Sequence, residues 1–173
     1  MLVGRWARPA VTAGQESSSQ DVPILNFLLV LEELQAAFYD AAAAQATLPD
    51  DLRRFARTVA PQEHEHVALL RRRLGSSARD RPALDVRQAT SDAARFSANA
   101  IDLEEATAAA YIGQGANLTR DAMRDAARIV AVEARHAAWI RDLTGDDPAP
   151  RAADPGRTAD DVLAELRGKG LLR

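Results

Sequence analysis

The chain has 173 residues, of which 47% are hydrophobic and 27% charged, and this composition is typical of a single soluble globular domain. Its formal net charge is -3 and basic residues are concentrated only around LLRRRLG at 69–75, which is interpreted as a solvated helix face, so a nucleic-acid-binding surface is not indicated. The absence of cysteine excludes disulfides, zinc ribbons, iron-sulfur clusters and thiol catalysis, and leaves Glu, Asp and His for any metal chemistry.

The N-terminal segment, MLVGRWARPAVTAGQESSSQ, lacks the uninterrupted apolar run of a secretory signal, and we predict a disordered arm over residues 1–20. The apolar run ILNFLLVL at 24–31 stops at Glu32 and Glu33, well short of the roughly 20 residues that span a bilayer. We therefore expect no membrane segment and a cytoplasmic location, with export left open because many exported proteins also lack disulfides.

Residues 21–145 are rich in Ala, Leu, Arg and Glu with few Gly or Pro residues, a pattern that predicts helices. Pro61 falls inside the second helix and predicts a kink there, with a helix break as the alternative. The four predicted helices run from Asp21, as N-cap, to about Thr47, from Asp50 to Gly75, from about Ser91 to Gly113 or Gly115, and from Asn117 or Thr119 to Gly145.

The connections between these helices are short, long and short. The long one, residues 76–90, can travel the length of a helix pair, so the chain is predicted to be all-α, an antiparallel four-helix bundle with one long crossover between helices 2 and 3. Residues 146–173 are a tail with a short helix from about Thr158 to Arg167, which we interpret as an appendage.

An internal repeat links the two halves of this bundle. LEELQAAFY at 31–39 and LEEATAAAY at 103–111 match at six of nine positions, 72 residues apart. Two Glu-x-x-His pairs repeat at an offset of 70. The repeat predicts two helical hairpins that each contribute one Glu from the first helix and a Glu-x-x-His pair from the second.

The apolar stripe of each predicted helix is interrupted near its middle by polar residues. In the first helix, Glu32 falls three or four residues from apolar positions on both sides, so it lies on the buried face. Buried carboxylates repel one another unless a positive charge compensates them, and no arginine falls on the four stripes. Two divalent cations would balance four carboxylates, and iron, manganese or zinc accepts such ligands. The predicted metal ligands are Glu32, Glu63, His66, Glu104, Glu133 and His136.

Several neighbouring residues are interpreted more simply. A single Glu-x-x-His pair is more often a surface feature or a satisfied core histidine than a metal site, and only the repeated set favours ligation. Tyr39 and Tyr111 each lie seven residues after a predicted ligand, and core packing is favoured over a hydrogen bond to the site or an electron relay. The adjacent polar residues predicted to face solvent are Glu33, His64, Glu65 and Glu105.

The motifs NFLLVLEELQAAFY, QEHEHVALLRRRLG and EEATAAAYIG resemble the ferritin-like superfamily of di-iron carboxylate proteins over residues 21–145. More narrowly, they look like the stand-alone bacterial ferritin-like domains that include desiccation-related proteins. The resemblance implies a ferritin-like bundle in which Glu32 and Glu104 are terminal ligands and Glu63 and Glu133 bridge two metals. His66 and His136 would each bind one metal.

The implied cofactor is two Fe ions, with Mn as the alternative. The chain lacks the cysteine-ligated iron domain of rubrerythrins, and Met123 does not fit the haem-binding position of bacterioferritins. The short C-terminal helix keeps iron storage open as an option.

Three functions remain open at this point. The first is a ferroxidase or di-iron oxidoreductase that oxidises Fe(II) or uses O₂ or peroxide. The second is a non-catalytic protein that binds or sequesters iron during stress or desiccation, and the third is a structural bundle with unused ligands. The expected partners are metal ions and O₂ or peroxide, without nucleic acid or membrane, and a homodimer or larger homo-oligomer is left open.

Overall fold

The computed structural model describes residues 18–172 of the chain, and this range is helical apart from loops and one isolated bridge between Leu84 and Leu172. The predicted all-α class is confirmed. The helices are α1 (Asp21–Ala43), α2 (Asp50–Leu74), α3 (Ala93–Gly115), α4 (Arg120–Thr144) and a short α5 (Ala159–Gly168).

The four long helices pack as two hairpins. α1 packs mainly against α2 and α3 against α4, and contacts between α1 and α3 and between α2 and α4 join the two pairs. A short 3-10 turn at Gly75–Ser77 follows α2, and the chain then crosses to α3 through a long connection that buries Val86 and Thr90. Residues 1–17 of the predicted arm, which was expected over residues 1–20, lie outside the described residues.

The ends of α1 differ from the prediction. The helix stops at Ala43, about one turn before Thr47, because Leu48 turns into the core and Pro49 disfavours helical backbone in the residue before it. At the other end Gln20, not Asp21, is the N-cap. Asp21 is buried and accepts hydrogen bonds from the backbone N–H (2.8 Å) and hydroxyl (2.6 Å) of Thr119.

The other boundaries lie close to the predicted ones. α3 begins after Asp92, whose side chain caps the helix by accepting a hydrogen bond from the backbone of Arg95 at 2.9 Å. α4 ends at Thr144, and its C-cap Gly145 has a positive φ of 81°. α2 continues through Pro61 as one helix, so the alternative of a helix break there is wrong.

The repeat extends over both hairpins. α1 and α3 have 23 residues each and α2 and α4 have 25 each. α3 begins and ends 72 residues after α1, and α4 begins and ends 70 residues after α2. Every residue of one hairpin helix therefore has a counterpart at an equivalent position in the other hairpin.

The C-terminal segment is packed into the molecule rather than appended to it. Val162 and Leu166 of α5 are buried in the common core. The backbone N–H of Arg157 donates to the carbonyl of Ala109 on α3 at 2.9 Å. Gly113 permits this contact, because a Cβ there would collide with the backbone of Arg157.

α1 is long and apolar enough to cross a membrane by length and composition alone, with a mean hydropathy of 1.3 over its most apolar window. In the structure 67% of that window is buried inside the bundle. This burial fits a central core helix.

Candidate metal centre

Six polar side chains meet in the middle of the bundle, one or two from each long helix. The four carboxylates have 0% exposure, and the two imidazoles are nearly as buried, with 8% exposure for His66 and 4% for His136. The structure thus brings together all six side chains predicted from sequence: Glu32, Glu63, His66, Glu104, Glu133 and His136.

These side chains form two overlapping groups. One contains Glu32 and His66, the other contains Glu104 and His136, and Glu63 and Glu133 belong to both. Within each group the candidate ligand atoms lie within 4.8 Å of one another. The arrangement offers two adjacent metal positions that share two carboxylates.

Both imidazoles turn the same ring nitrogen toward the carboxylates. Nδ1 of His66 lies 3.0 Å from Glu133, 3.2 Å from Glu32 and 3.4 Å from Glu63. Nδ1 of His136 lies 3.1 Å from Glu63 and 3.4 Å from Glu104. The Glu-x-x-His spacing allows this, because residues three apart lie on one helix face.

The two tyrosines donate hydrogen bonds across the bundle to the outer carboxylates. The hydroxyl of Tyr111 donates to Glu32 at 2.6 Å, and that of Tyr39 donates to Glu104. The favoured interpretation of both as packing residues was therefore incomplete. Tyr39 does pack edge-on against Phe38 and Phe55, but its hydroxyl faces the site.

Three further residues hold the site and were missed from sequence. Gln35 donates to Glu133 at 3.1 Å and accepts a hydrogen bond from Thr107 at 2.6 Å. Gln62 contacts Nε2 of His136 at 2.9 Å. A signal existed for Gln35, which lies three residues after Glu32 on the same face as that predicted ligand.

The residues next to the ligands behave differently from one another. Glu33 was predicted to face solvent and is instead buried at 4% exposure, where it pairs with Arg71. Its counterpart Glu105 is half-buried and pairs with Arg141. The prediction failed because an arginine on the next helix covers each carboxylate, which helix periodicity does not reveal.

The other two neighbours are exposed as predicted. His64 lies at the surface, where its Nε2 contacts Asp40 at 2.9 Å. Glu65 is exposed as well. Both flank the site on α2 without entering it.

Burial dominates the titration of the carboxyl groups. It raises the pKa of Glu32 to about 7, and it raises the pKa of Glu133 well above its usual value, with repulsion from Glu63 adding to the effect. It also raises the pKa of Glu104. Three of the four carboxyl groups therefore bind protons more tightly than in water.

The pKa values of Glu63 and the two histidines shift because carboxylate and imidazole groups lie next to one another. Burial opposes ionisation of Glu63, but the close imidazoles of His136 and His66 outweigh it and lower the pKa of Glu63 to about 2. Burial would lower the pKa of both imidazoles, but their carboxylate partners raise it to about 12 for His66 and about 9 for His136. Without metal, the cluster balances its charge with protons.

Several buried ligand atoms lack a hydrogen-bond partner among the described residues. They are both carboxylate oxygens of Glu63, one oxygen each of Glu104 and Glu133, and Nδ1 of His136. Leaving such atoms unpaired in a core is costly. Divalent cations would satisfy them, so the donor set fits metal ions that accept oxygen and imidazole ligands.

The sequence model of the ferritin-like domain family matches residues 20–146, which include all four bundle helices. The chain belongs to this family. No curated protein is significantly similar to it in sequence. The fold and its buried Glu and His groups together define a ferritin-like protein with residues that could hold metal ions.

Proposed function

We propose that the chain binds two iron or manganese ions at the candidate centre and oxidises Fe(II), with O₂ or peroxide as the electron acceptor. The observation that supports this most directly is the pair of overlapping ligand groups that share Glu63 and Glu133. Two adjacent cations would bring four positive charges to four carboxylates. Glu32, His66, Glu104 and His136 would complete the two positions.

Bound iron would supply the redox chemistry, because two Fe(II) ions can give up the two electrons that, with two protons, convert one hydrogen peroxide to two water molecules. The chain provides the carboxylates that accommodate this change in charge. Its buried core excludes bulk water from around them.

The surrounding hydrogen bonds position the ligands. Tyr111 holds the outer carboxylate of Glu32, and Tyr39 holds that of Glu104. Gln62 fixes the ring of His136 through Nε2, which leaves Nδ1 facing the carboxylates. Gln35 restrains one oxygen of Glu133 in the same way.

The test compares two double variants in one turn of α2. Glu63→Ala with His66→Ala removes a shared carboxylate and an imidazole, whereas Glu65→Ala with His64→Ala removes the same residue types from the exposed face. We expect about two metal ions per chain in wild type and in the exposed control, and none in the site variant. Circular dichroism verifies that all three proteins are folded.

Aerobic Fe(II) oxidation followed by stopped-flow absorbance then tests catalysis. We expect wild type and the exposed control to oxidise Fe(II) faster than the site variant. Equal rates in all three proteins, with metal bound to wild type, would refute catalysis and favour the sequestering function. A wild-type protein that binds no metal would refute both.

A further inference from the structure

The two histidines of the site differ at their outer nitrogens. Nε2 of His136 contacts the side-chain oxygen of Gln62 at 2.9 Å. The counterpart of Gln62 in the repeat is Val132, whose side chain cannot accept a hydrogen bond. Among residues 18–172, the polar contacts of His66 are all made by Nδ1, and Nε2 has no hydrogen-bond partner. A metal-binding histidine normally donates this N–H to a carboxylate, a carbonyl group or water.

A surface pocket of about 470 Å³ lies between α2 and α4 and includes His66 in its wall. Val132 and Leu69 also line it. The counterpart of Leu69 in the other hairpin is the much larger Trp139, which packs edge-on against Phe55 at 5.0 Å. Leu69 and Val132 are smaller than their counterparts and leave space beside His66. Beside His136, the equivalent space is occupied by Trp139 and Gln62.

The charge of this pocket is also specific to one half of the repeat. Arg72 and Arg128 line it with one acid, Glu65, so the lining carries a net positive charge. The counterparts of the two arginines are Asp142 and Thr58.

The arginines are not strongly engaged elsewhere. Arg72 makes no ion pair with any residue in the described part of the chain, and the only ion pair of Arg128 is a long one of 3.9 Å to Asp125. Both are exposed and free to turn toward a ligand.

We propose that this pocket binds a small anion that accepts a hydrogen bond from Nε2 of His66, as Gln62 does from His136. The proposal rests on the metal site proposed above, because Nε2 carries the proton when Nδ1 faces a metal. The anion would be small and oxygen-rich or a halide, held by Arg72 and Arg128. One metal position would then be adjustable by solutes, whereas the other is fixed by the protein.

The test uses the full chain loaded with zinc, which is diamagnetic, and labelled with ¹⁵N-histidine. Inorganic sulfate is titrated while the ring signals of the three histidines are followed by NMR. We expect a saturable shift of the Nε2–H signal of His66 and little change at His136. His64→Asn removes the third signal and completes the assignment.

Three variants locate the anion. Val132→Gln gives His66 the acceptor that His136 already has, and we expect it to remove the sulfate response while zinc stays bound. Arg72→Asp should weaken sulfate binding by at least about tenfold, since it replaces an attractive charge with a repulsive one. Arg124→Asp is the matched control on exposed α4 surface outside the pocket, and we expect a much smaller effect.

The outcomes separate this inference from the proposed function. A zinc-loaded protein in which sulfate leaves the His66 signal unshifted, or shifts the His66 and His136 signals equally, would overturn the anion site alone. An unchanged response in Val132→Gln would also overturn it. Failure to bind zinc would overturn the metal site and this inference together.

Discussion

The metal-free protein is expected to lose stability as the pH rises from 5.5 to 8.5. The cause is the group of protons held in the buried cluster. Folding raises the pKa of Glu32 from 4.5 to about 7 and that of His136 from 6.5 to about 9. Each group stabilises the fold fully below its unfolded pKa and loses that contribution as the pH rises through its folded pKa.

The size of the effect follows from these shifts. One pKa unit corresponds to about 1.4 kcal/mol, so Glu32 and His136 would each lose roughly 2 kcal/mol across this pH window. Allowing for coupling between them, Glu32 and His136 together account for a loss of about 3 to 5 kcal/mol, or a fall in Tm of roughly 6 to 20 °C for a domain of this size, and His66 acts in the same direction. The pKa of Glu63 is lowered on folding, so its contribution to stability has the opposite pH dependence. That contribution is lost only as the pH falls from 4.5 toward 2.

The assay is thermal unfolding of chelator-treated protein by circular dichroism at several pH values. Glu32→Gln removes one titrating group from the cluster and should weaken the dependence of Tm on pH. Glu65→Gln, which changes an exposed residue on α2, should leave it unchanged. A wild-type Tm that stays constant or rises between pH 5.5 and 8.5 would refute the proton-balanced cluster.

Three further predictions concern the metals, the tyrosines and the tail. Saturating metal should stabilise the protein at pH 7.5 by about 3 kcal/mol or more, which is measured as a rise in Tm that a chelator reverses. Metal binding should also release protons, which a pH indicator can measure. Tyr111→Phe removes the 2.6 Å donor to Glu32 and should destabilise the metal-free protein by about 1 to 3 kcal/mol in urea unfolding, and no change would contradict the role assigned to this hydroxyl. Gly113→Ala should lower Tm because the added Cβ collides with Arg157, whereas Gly168→Ala, which meets nothing within 4 Å, should not.

Much of the fold follows from local patterns in the sequence. Ala- and Leu-rich stripes with period 3.6 predict the helices, and Gly145 stops α4 where a positive φ is needed. The repeat of Glu32 at Glu104, at an offset equal to the offset of whole helices, predicts that both carboxylates lie at one level of the bundle. The convergence of the six predicted ligands could be anticipated for this reason.

The rest depends on partners far apart in the chain. Periodicity assigns Glu33 to a face adjacent to the ligands but does not indicate that Arg71 covers it. The hydroxyl of Tyr39 reaches Glu104, 65 residues away, and this choice of partner depends on how the hairpins dock. For the same reason, the side chain of Asp21 accepts a hydrogen bond from Thr119 at the start of α4 instead of capping its own helix.

The division of ligands between the hairpins has a consequence for assembly. Neither ligand group is complete within one hairpin. The group of Glu32 and His66 includes Glu133 from the second hairpin, and the group of Glu104 and His136 includes Glu63 from the first. An isolated hairpin would therefore be a poor chelator, and cations captured at the centre would cross-link the two halves of the chain. Metal binding would thus indicate that the two hairpins have packed against each other in the correct register.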